Sequence, residues 1–210
     1  MNRILIAIAW TVVGAAAGWF VRWGSVKLAR LEGDLEPGFK PWQVYGPPIT
    51  AAVVFAIFGY AFAGAPLALA LRSLFALVLV QVIFFDFEYR LILDRVMFPA
   101  MGLALLVSFT NQPWWLGLAT GLGAGLLFLA LSLLGAAIFK QDALGFGDVK
   151  LVTFMGLLLG WPSIFQALFY GVLLAGLVAI GVVIWTRSMK GNIAYGPYLA
   201  VGALIALYQL

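Results

Sequence analysis

No charged residue occurs between residues 96 and 139, where the chain reads VMFPAMGLALLVSFTNQPWWLGLATGLGAGLLFLALSLLGAAIF. A helix needs about 20 apolar residues to cross the hydrocarbon core of a membrane, so this stretch is long enough for two crossings. Asn111-Gln112-Pro113 interrupts it with residues that favour turns. The stretch therefore predicts two transmembrane helices joined by a short turn.

The rest of the 210-residue chain continues this pattern. It is 65% hydrophobic and 10% charged, with a mean hydropathy of +1.10, which is too apolar for an ordinary soluble domain. We therefore predict an all-α polytopic membrane protein with about eight transmembrane helices. The predicted helices are residues 3–22, 47–63, 66–88, 94–110, 114–138, 146–160, 163–186 and 193–210.

The basic residues predict the orientation of these helices. Eight crossings place both termini on one side, and ten of the twelve basic residues then fall on the other. Because cytoplasmic loops are enriched in Lys and Arg, both termini are predicted to face outward from the cytoplasmic (inner) membrane. The net charge of +4 thus reflects topology, and the expected partner is the lipid bilayer rather than nucleic acid. The ten residues are Arg22, Lys27, Arg30, Lys40, Arg90, Arg95, Lys140, Lys150, Arg187 and Lys190.

The chain contains neither cysteine nor histidine. This excludes disulfides, Cys/His zinc sites and nucleophiles activated by histidine, and we expect no metal. Any catalysis must use carboxylates, Lys, Tyr, Ser or backbone groups.

Two carboxylates lie where apolar runs meet the predicted cytoplasmic face. Asp86 directly follows the apolar residues 82–85. Asp148 lies just before the uncharged run that starts at Leu151, and it follows Gly145 and Gly147. A carboxylate at this depth is costly and is usually functional or paired. Two adjacent carboxylates can share one proton and hydrolyse a peptide bond without a metal or a nucleophile. The glycines permit the close approach of an extended peptide backbone.

A purely structural interpretation of these acids stays open. Asp86 has Arg90 four residues later, and Asp148 has Lys150 two residues later, so each has a local ion-pair partner. Lys150 would either tune the pKa of Asp148 or anchor its helix. Substitution of Glu88 or of Asp94, acids on the same predicted face, is expected to leave substantial activity.

The sequences around both aspartates resemble those of the type IV prepilin peptidase family. ALGFGDVKL, residues 143–151, resembles its Gly-x-Gly-Asp signature, and IFFDFEYRLILD, residues 83–94, resembles its first-aspartate segment. FMGLLLGW, residues 154–161, and IAYGPYLA, residues 193–200, resemble later family segments in the expected order. The resemblance covers residues 80–210.

This resemblance implies a membrane aspartic endopeptidase with Asp86 and Asp148 as the catalytic pair. Its substrate would be a prepilin or pseudopilin of a type IV pilus or type II secretion system, cleaved at the cytoplasmic membrane boundary between leader and apolar helix. The peptidase would need no cofactor. The predicted substrate-binding or supporting residues are Gly145, Gly147, Lys150, Asp94, Gly196 and Pro197.

The chain departs from the family pattern in two places. Leu93 replaces a common proline, which we expect to alter the local turn more than the chemistry. The N-terminal third matches poorly and lacks the Cys-x-x-Cys pairs of bifunctional members. S-adenosylmethionine would be needed only for N-methylation, which this difference leaves open. We predict an N-terminal two-helix region, residues 1–65, and a six-helix peptidase core, residues 66–210.

Two other functions remain as alternatives. A proton-coupled membrane transporter could use the same aspartates, although they lie at one membrane edge and no inverted repeat is visible. A structural subunit of a pilus or secretion assembly would carry inactive acids.

The glycines away from the aspartates predict helix packing. Gly117, Gly121 and Gly125 recur every four residues and favour close contact between helices, as do Gly14 and Gly18. Gly196-Pro197 is expected to kink the last helix.

Overall fold

The structure, a computed structural model, describes residues 2–32, 35–110, 113–139, 145–186 and 194–210, apart from the side chains of Phe139 and Thr186. Within these ranges it contains eight α-helices and no strand, which confirms the predicted all-α class. The helices are α1 (Arg3–Leu31), α2 (Pro41–Ala61), α3 (Pro66–Tyr89), α4 (Asp94–Ser108), α5 (Trp115–Phe139), α6 (Phe146–Leu159), α7 (Ser163–Thr186) and α8 (Gly196–Gln209).

Five of the eight helices, α1, α2, α3, α5 and α7, are long and apolar enough to cross a membrane. The other three are shorter, with 15 residues in α4 and 14 in each of α6 and α8. The chain is therefore a multi-pass membrane protein. The outward orientation of both termini stays a prediction. Three of the ten basic residues behind it, Lys140, Arg187 and Lys190, lie outside the described residues.

The first helix is longer than predicted. The prediction ended it at Arg22, but α1 continues to Leu31, so the expected polar loop of residues 23–46 is much shorter. Hydropathy treats a charged residue as the end of an apolar helix, whereas Arg22 is buried inside this one. The second helix likewise begins at Pro41, with Pro47 and Pro48 in its interior.

The contacts divide the chain into two compact units, Met1–Arg90 and Leu91–Leu210. In the first unit α1 packs on α2 through two glycines. A Cβ on Gly14 would lie 2.6 Å from the Phe55 Cβ, and one on Gly18 would lie 2.7 Å from the Pro47 carbonyl oxygen. Only a residue without a side chain allows this approach, which confirms the predicted packing role of both glycines.

In the second unit α6 packs closely on α5. A Cβ on Gly121 would lie 2.6 Å from the Leu157 Cγ, and one on Gly156 would lie 2.7 Å from the Gly121 Cα. Gly117 and Gly125 also face side chains too close for a Cβ, Ser108 and Thr153 respectively. The predicted packing role of the three regularly spaced glycines is confirmed.

The predicted kink in the last helix is wrong. It assumed a helix from residue 193, but α8 begins at Gly196, with Pro197 in its first turn. Proline is well tolerated there because the first helical N–H groups have no partner within the helix. Ile193 lies outside the described residues. The functional division after residue 65 stays a prediction, although the contacts place α3 with α1 and α2.

Candidate active site

Asp86 lies in the last turn of α3 and is only 6% exposed. The helix ends at Tyr89. The next residue, Arg90, has a left-handed backbone (φ 54°), and its N–H donates to the Asp86 carbonyl oxygen at 2.9 Å. The structural interpretation assumed a continuous helix with Asp86 and Arg90 one turn apart. The Arg90 N–H bond to the Asp86 carbonyl oxygen keeps the two residues one turn apart, so the structural interpretation stays open beside the catalytic one.

A buried ion pair lies beside Asp86 in the same unit. The Arg22 Nη1 lies 3.3 Å from the Glu88 Oε2, and the two side chains are 8% and 6% exposed. The expectation that substitution of Glu88 leaves substantial activity did not include this pair, and it stays a prediction. The signal that could have identified the pair is Arg22 itself, because a charge within an apolar helix requires a partner.

Asp148 is the third residue of α6 and is half-buried. Its backbone N–H donates to the Gly145 carbonyl oxygen at 3.0 Å, which begins the helix. Burial raises the pKa of the Asp148 carboxyl to about 6, while a hydrogen bond from the Gly145 backbone acts in the opposite direction. Asp148 lies outside the five helices of spanning length, and its raised pKa favours retention of a proton.

The two signature glycines differ in their surroundings. A Cβ on Gly147 would lie 3.1 Å from the Ile92 Cβ, so this glycine allows α6 to approach the segment before α4. Gly145 is exposed, and among the described residues, which leave out 140–144, a Cβ there would meet nothing closer than the Asp148 Oδ2 at 3.8 Å. Gly147 therefore serves packing, whereas no side chain in the described part of the chain crowds Gly145 beside the carboxylate.

Lys150 and Asp94 join the first turns of α6 and α4. The Lys150 Nζ lies 2.5 Å from the Asp94 Oδ1, and the side chains are 30% and 50% exposed. Of the two alternatives for Lys150, this contact supports the anchoring role. Leu93, the residue before Asp94, has a φ of −70° that proline also adopts, so the backbone gives no support to the prediction that leucine alters this turn.

The remaining predicted site residues, Gly196 and Pro197, are both buried at the start of α8. Among the described residues no three carboxylates are grouped closely enough to hold a metal ion. Asp86 belongs to the first compact unit and Asp148 to the second, and their action as a pair stays a prediction.

The helices and aspartates define a class of protein: a multi-pass helical membrane protein with one carboxylate at the end of α3 and another at the start of α6. Residues 73–180, which include both aspartates, match the type IV leader peptidase family. The chain belongs to this family, which confirms the resemblance of its motifs.

Three curated relatives carry the name prepilin leader peptidase/N-methyltransferase. The protein from Bacillus subtilis (strain 168) is 31% identical over 162 residues, covering 75% of this chain and 62% of the relative. The protein from Aeromonas hydrophila is 31% identical over 133 residues, covering 62% of this chain and 46% of the relative. The protein from Escherichia coli (strain K12) is 28% identical over 144 residues, covering 60% of this chain and 56% of the relative. The chain thus spans between 46% and 62% of the length of these relatives. No solved structure matches it.

Proposed function

We propose that this chain is an aspartic endopeptidase of the cytoplasmic membrane that removes leader peptides from prepilins or pseudopilins. The observation that carries the proposal is the family match over residues 73–180, because this range contains Asp86 and Asp148 together with the segments around them. The names of the three relatives support prepilin as the substrate class. Cleavage would occur at the cytoplasmic boundary of the membrane.

The proposed chemistry uses the two carboxyl groups as an acid and a base. Two nearby carboxylates resist simultaneous ionisation, so the pair retains one proton. The ionised group accepts a proton from water as the water attacks the peptide carbonyl carbon. The protonated group donates to the carbonyl oxygen, where negative charge develops. The raised pKa of Asp148 supports its assignment as the group that holds the proton.

The surroundings of Asp148 suit a peptide substrate. Gly145 offers backbone without a side chain next to the carboxylate, so an extended peptide can approach. The Lys150–Asp94 pair and the close contact of Gly147 with Ile92 hold the first turn of α6 against the start of α4. In this proposal these residues support the site and do not react.

Co-expression with a prepilin substrate tests the proposal. The chain is produced with a type IV prepilin or a pseudopilin encoded by the same genome, and the substrate is analysed by mass spectrometry of the intact protein. We expect a product that lacks its leader and appears only when the peptidase is present. Full-length substrate beside folded, membrane-inserted wild-type protein would contradict the peptidase proposal and favour the transporter alternative.

A further inference from the structure

The end of α3 is attached to the short segment that joins α1 to α2. The Gly38 N–H donates to the Glu88 Oε1 at 2.6 Å, and the Tyr89 hydroxyl donates to the Glu36 carbonyl oxygen at 3.1 Å. Glu88 and Tyr89 lie in the same helical turn as Asp86. The joining segment is therefore bound to the turn that carries the aspartate.

Arg22 completes this attachment from α1. One guanidinium nitrogen pairs with Glu88, and the other donates to the Gly38 carbonyl oxygen. The ion pair thus engages both the N–H and the C=O of Gly38. We refer to Arg22, Glu88 and the Gly38 backbone as the Gly38 clamp.

The segment held by the clamp is itself closely packed. A Cβ on Gly38 would overlap the Gln43 side-chain amide, so a larger residue there would displace that amide from its present position. The Gln43 Oε1 also accepts the Lys40 N–H at 2.9 Å, which fixes the amide at the start of α2. The clamp therefore joins α3 to a well-defined segment.

We propose that Arg22 and Glu88 are positioning residues that hold the Asp86 turn in its working geometry through the Gly38 clamp. The inference rests on the proposed peptidase function. The last turn of a helix lacks partners for its carbonyl groups and opens more readily than the interior. Because α3 ends three residues after Asp86, contacts outside the helix must hold that turn, and Glu88 supplies two of them.

A purely structural ion pair predicts a different behaviour, and one double variant separates the two. Removing one partner would leave a buried charge and destabilise the fold, whereas replacing both with apolar residues of similar length is commonly tolerated. In the Arg22→Met/Glu88→Met double variant, Gly38 loses both of its side-chain partners. The double variant should nevertheless have a melting temperature near that of wild type. Arg22→Lys is a milder variant, because lysine keeps the charge but lacks the fork that reaches two acceptors.

Steady-state cleavage of a prepilin peptide in detergent tests the positioning role. We expect kcat to fall about tenfold or more in the double variant and severalfold in Arg22→Lys, with KM within about twofold of wild type. A double variant with both wild-type stability and wild-type kcat would overturn the inference. An inactive wild type would instead contradict the proposed function.

A second measurement tests whether the Gly38 clamp holds the Asp86 turn, and it does not depend on enzyme activity. Asp86→Cys gives a single thiol in this cysteine-free chain at a position that is 6% exposed. We expect a thiol reagent to modify it at least fivefold faster when Arg22→Met and Glu88→Met are also present, and faster with Arg22→Lys. Val80→Cys, at a fully buried position earlier in α3, should change by less than twofold. Equal rates for Asp86→Cys with and without the clamp would overturn the inference.

Discussion

At the scale of single residues, the chain keeps charge inside an apolar protein in two different ways. Arg22 and Glu88 are buried as a pair in which each side chain also forms a hydrogen bond with the Gly38 backbone. Asp148 is instead half-buried, and burial raises the pKa of its carboxyl to about 6. The pair favours a fixed structure, whereas the raised pKa favours proton exchange, as a catalytic acid requires.

Asp148→Asn should change how stability depends on pH. The folded pKa of about 6 lies above the ordinary value of 3.8, so the folded protein disfavours ionisation of Asp148. Wild type should therefore lose stability as pH rises from about 4 through 6, whereas asparagine stays neutral throughout. We expect the melting temperature of Asp148→Asn, relative to wild type, to be on the order of 5 °C higher at pH 7.5 than at pH 4. A difference that is the same at both pH values would contradict burial as the cause.

At the scale of helices, close packing in the second unit depends on glycine. Gly156→Ala would place a Cβ 2.7 Å from the Gly121 Cα, a backbone atom that cannot rotate away. We expect α5 and α6 to separate locally at a cost of about 1–3 kcal/mol in the free energy of unfolding.

Gly123→Ala is the matched control for that substitution. A Cβ at Gly123 meets no atom of the described residues within 4 Å, so the same change on α5 should be neutral or slightly stabilising. Thermal melting in detergent compares the two variants. Equal melting temperatures would show that the close contact of α5 and α6 does not limit stability.

The helices also show which features sequence could predict. The limits of α3 and α7 were predicted to within one residue, because Pro66, Ser163 and the charged residues after these helices mark their ends. The C-terminal end of α1 was not predicted correctly, because Arg22 is paired with Glu88, which lies 66 residues later in the chain. Local patterns identify helix ends in contact with solvent or lipid, but a buried charge depends on tertiary contacts that they do not contain.

The candidate site also has features that the sequence could predict and features that it could not. The positions of Asp86 and Asp148 at helix ends were predictable, because each acid adjoins an apolar run. The Lys150–Asp94 contact was not, because it joins residues on two helices that are far apart in sequence.

At the scale of the whole molecule, the basic residues predict that the loops after the first, third, fifth and seventh helices face the cytoplasm. Single cysteines at Lys27, Gln141 and Met189 should resist an impermeant thiol reagent in intact cells, whereas one at Asn111 should react. Lys27 is exposed on α1, and the other three positions lie outside the described residues. Labelling of Met189 but not Asn111 from outside would reverse the orientation.

The lack of cysteine predicts a difference in the product. The chain has none of the Cys-x-x-Cys pairs expected of bifunctional members, so we expect the cleaved pilin to keep an unmodified amino terminus. A methyl group adds about 14 Da, which intact-mass measurement resolves. A product heavier by that mass, formed only with added S-adenosylmethionine, would show that this chain also methylates.

The most direct test of the whole account is prepilin cleavage by Asp86→Asn and Asp148→Asn. Asparagine keeps the side-chain volume but prevents the shared-proton state, so each single variant should lose at least about a hundredfold in cleavage rate. The double variant should be hardly slower than either single one, because the two groups act as a unit. Glu32→Gln, at an exposed acid that ends α1, is the control and should cleave at the wild-type rate. Near wild-type cleavage by either asparagine variant would contradict the assignment of that aspartate as catalytic.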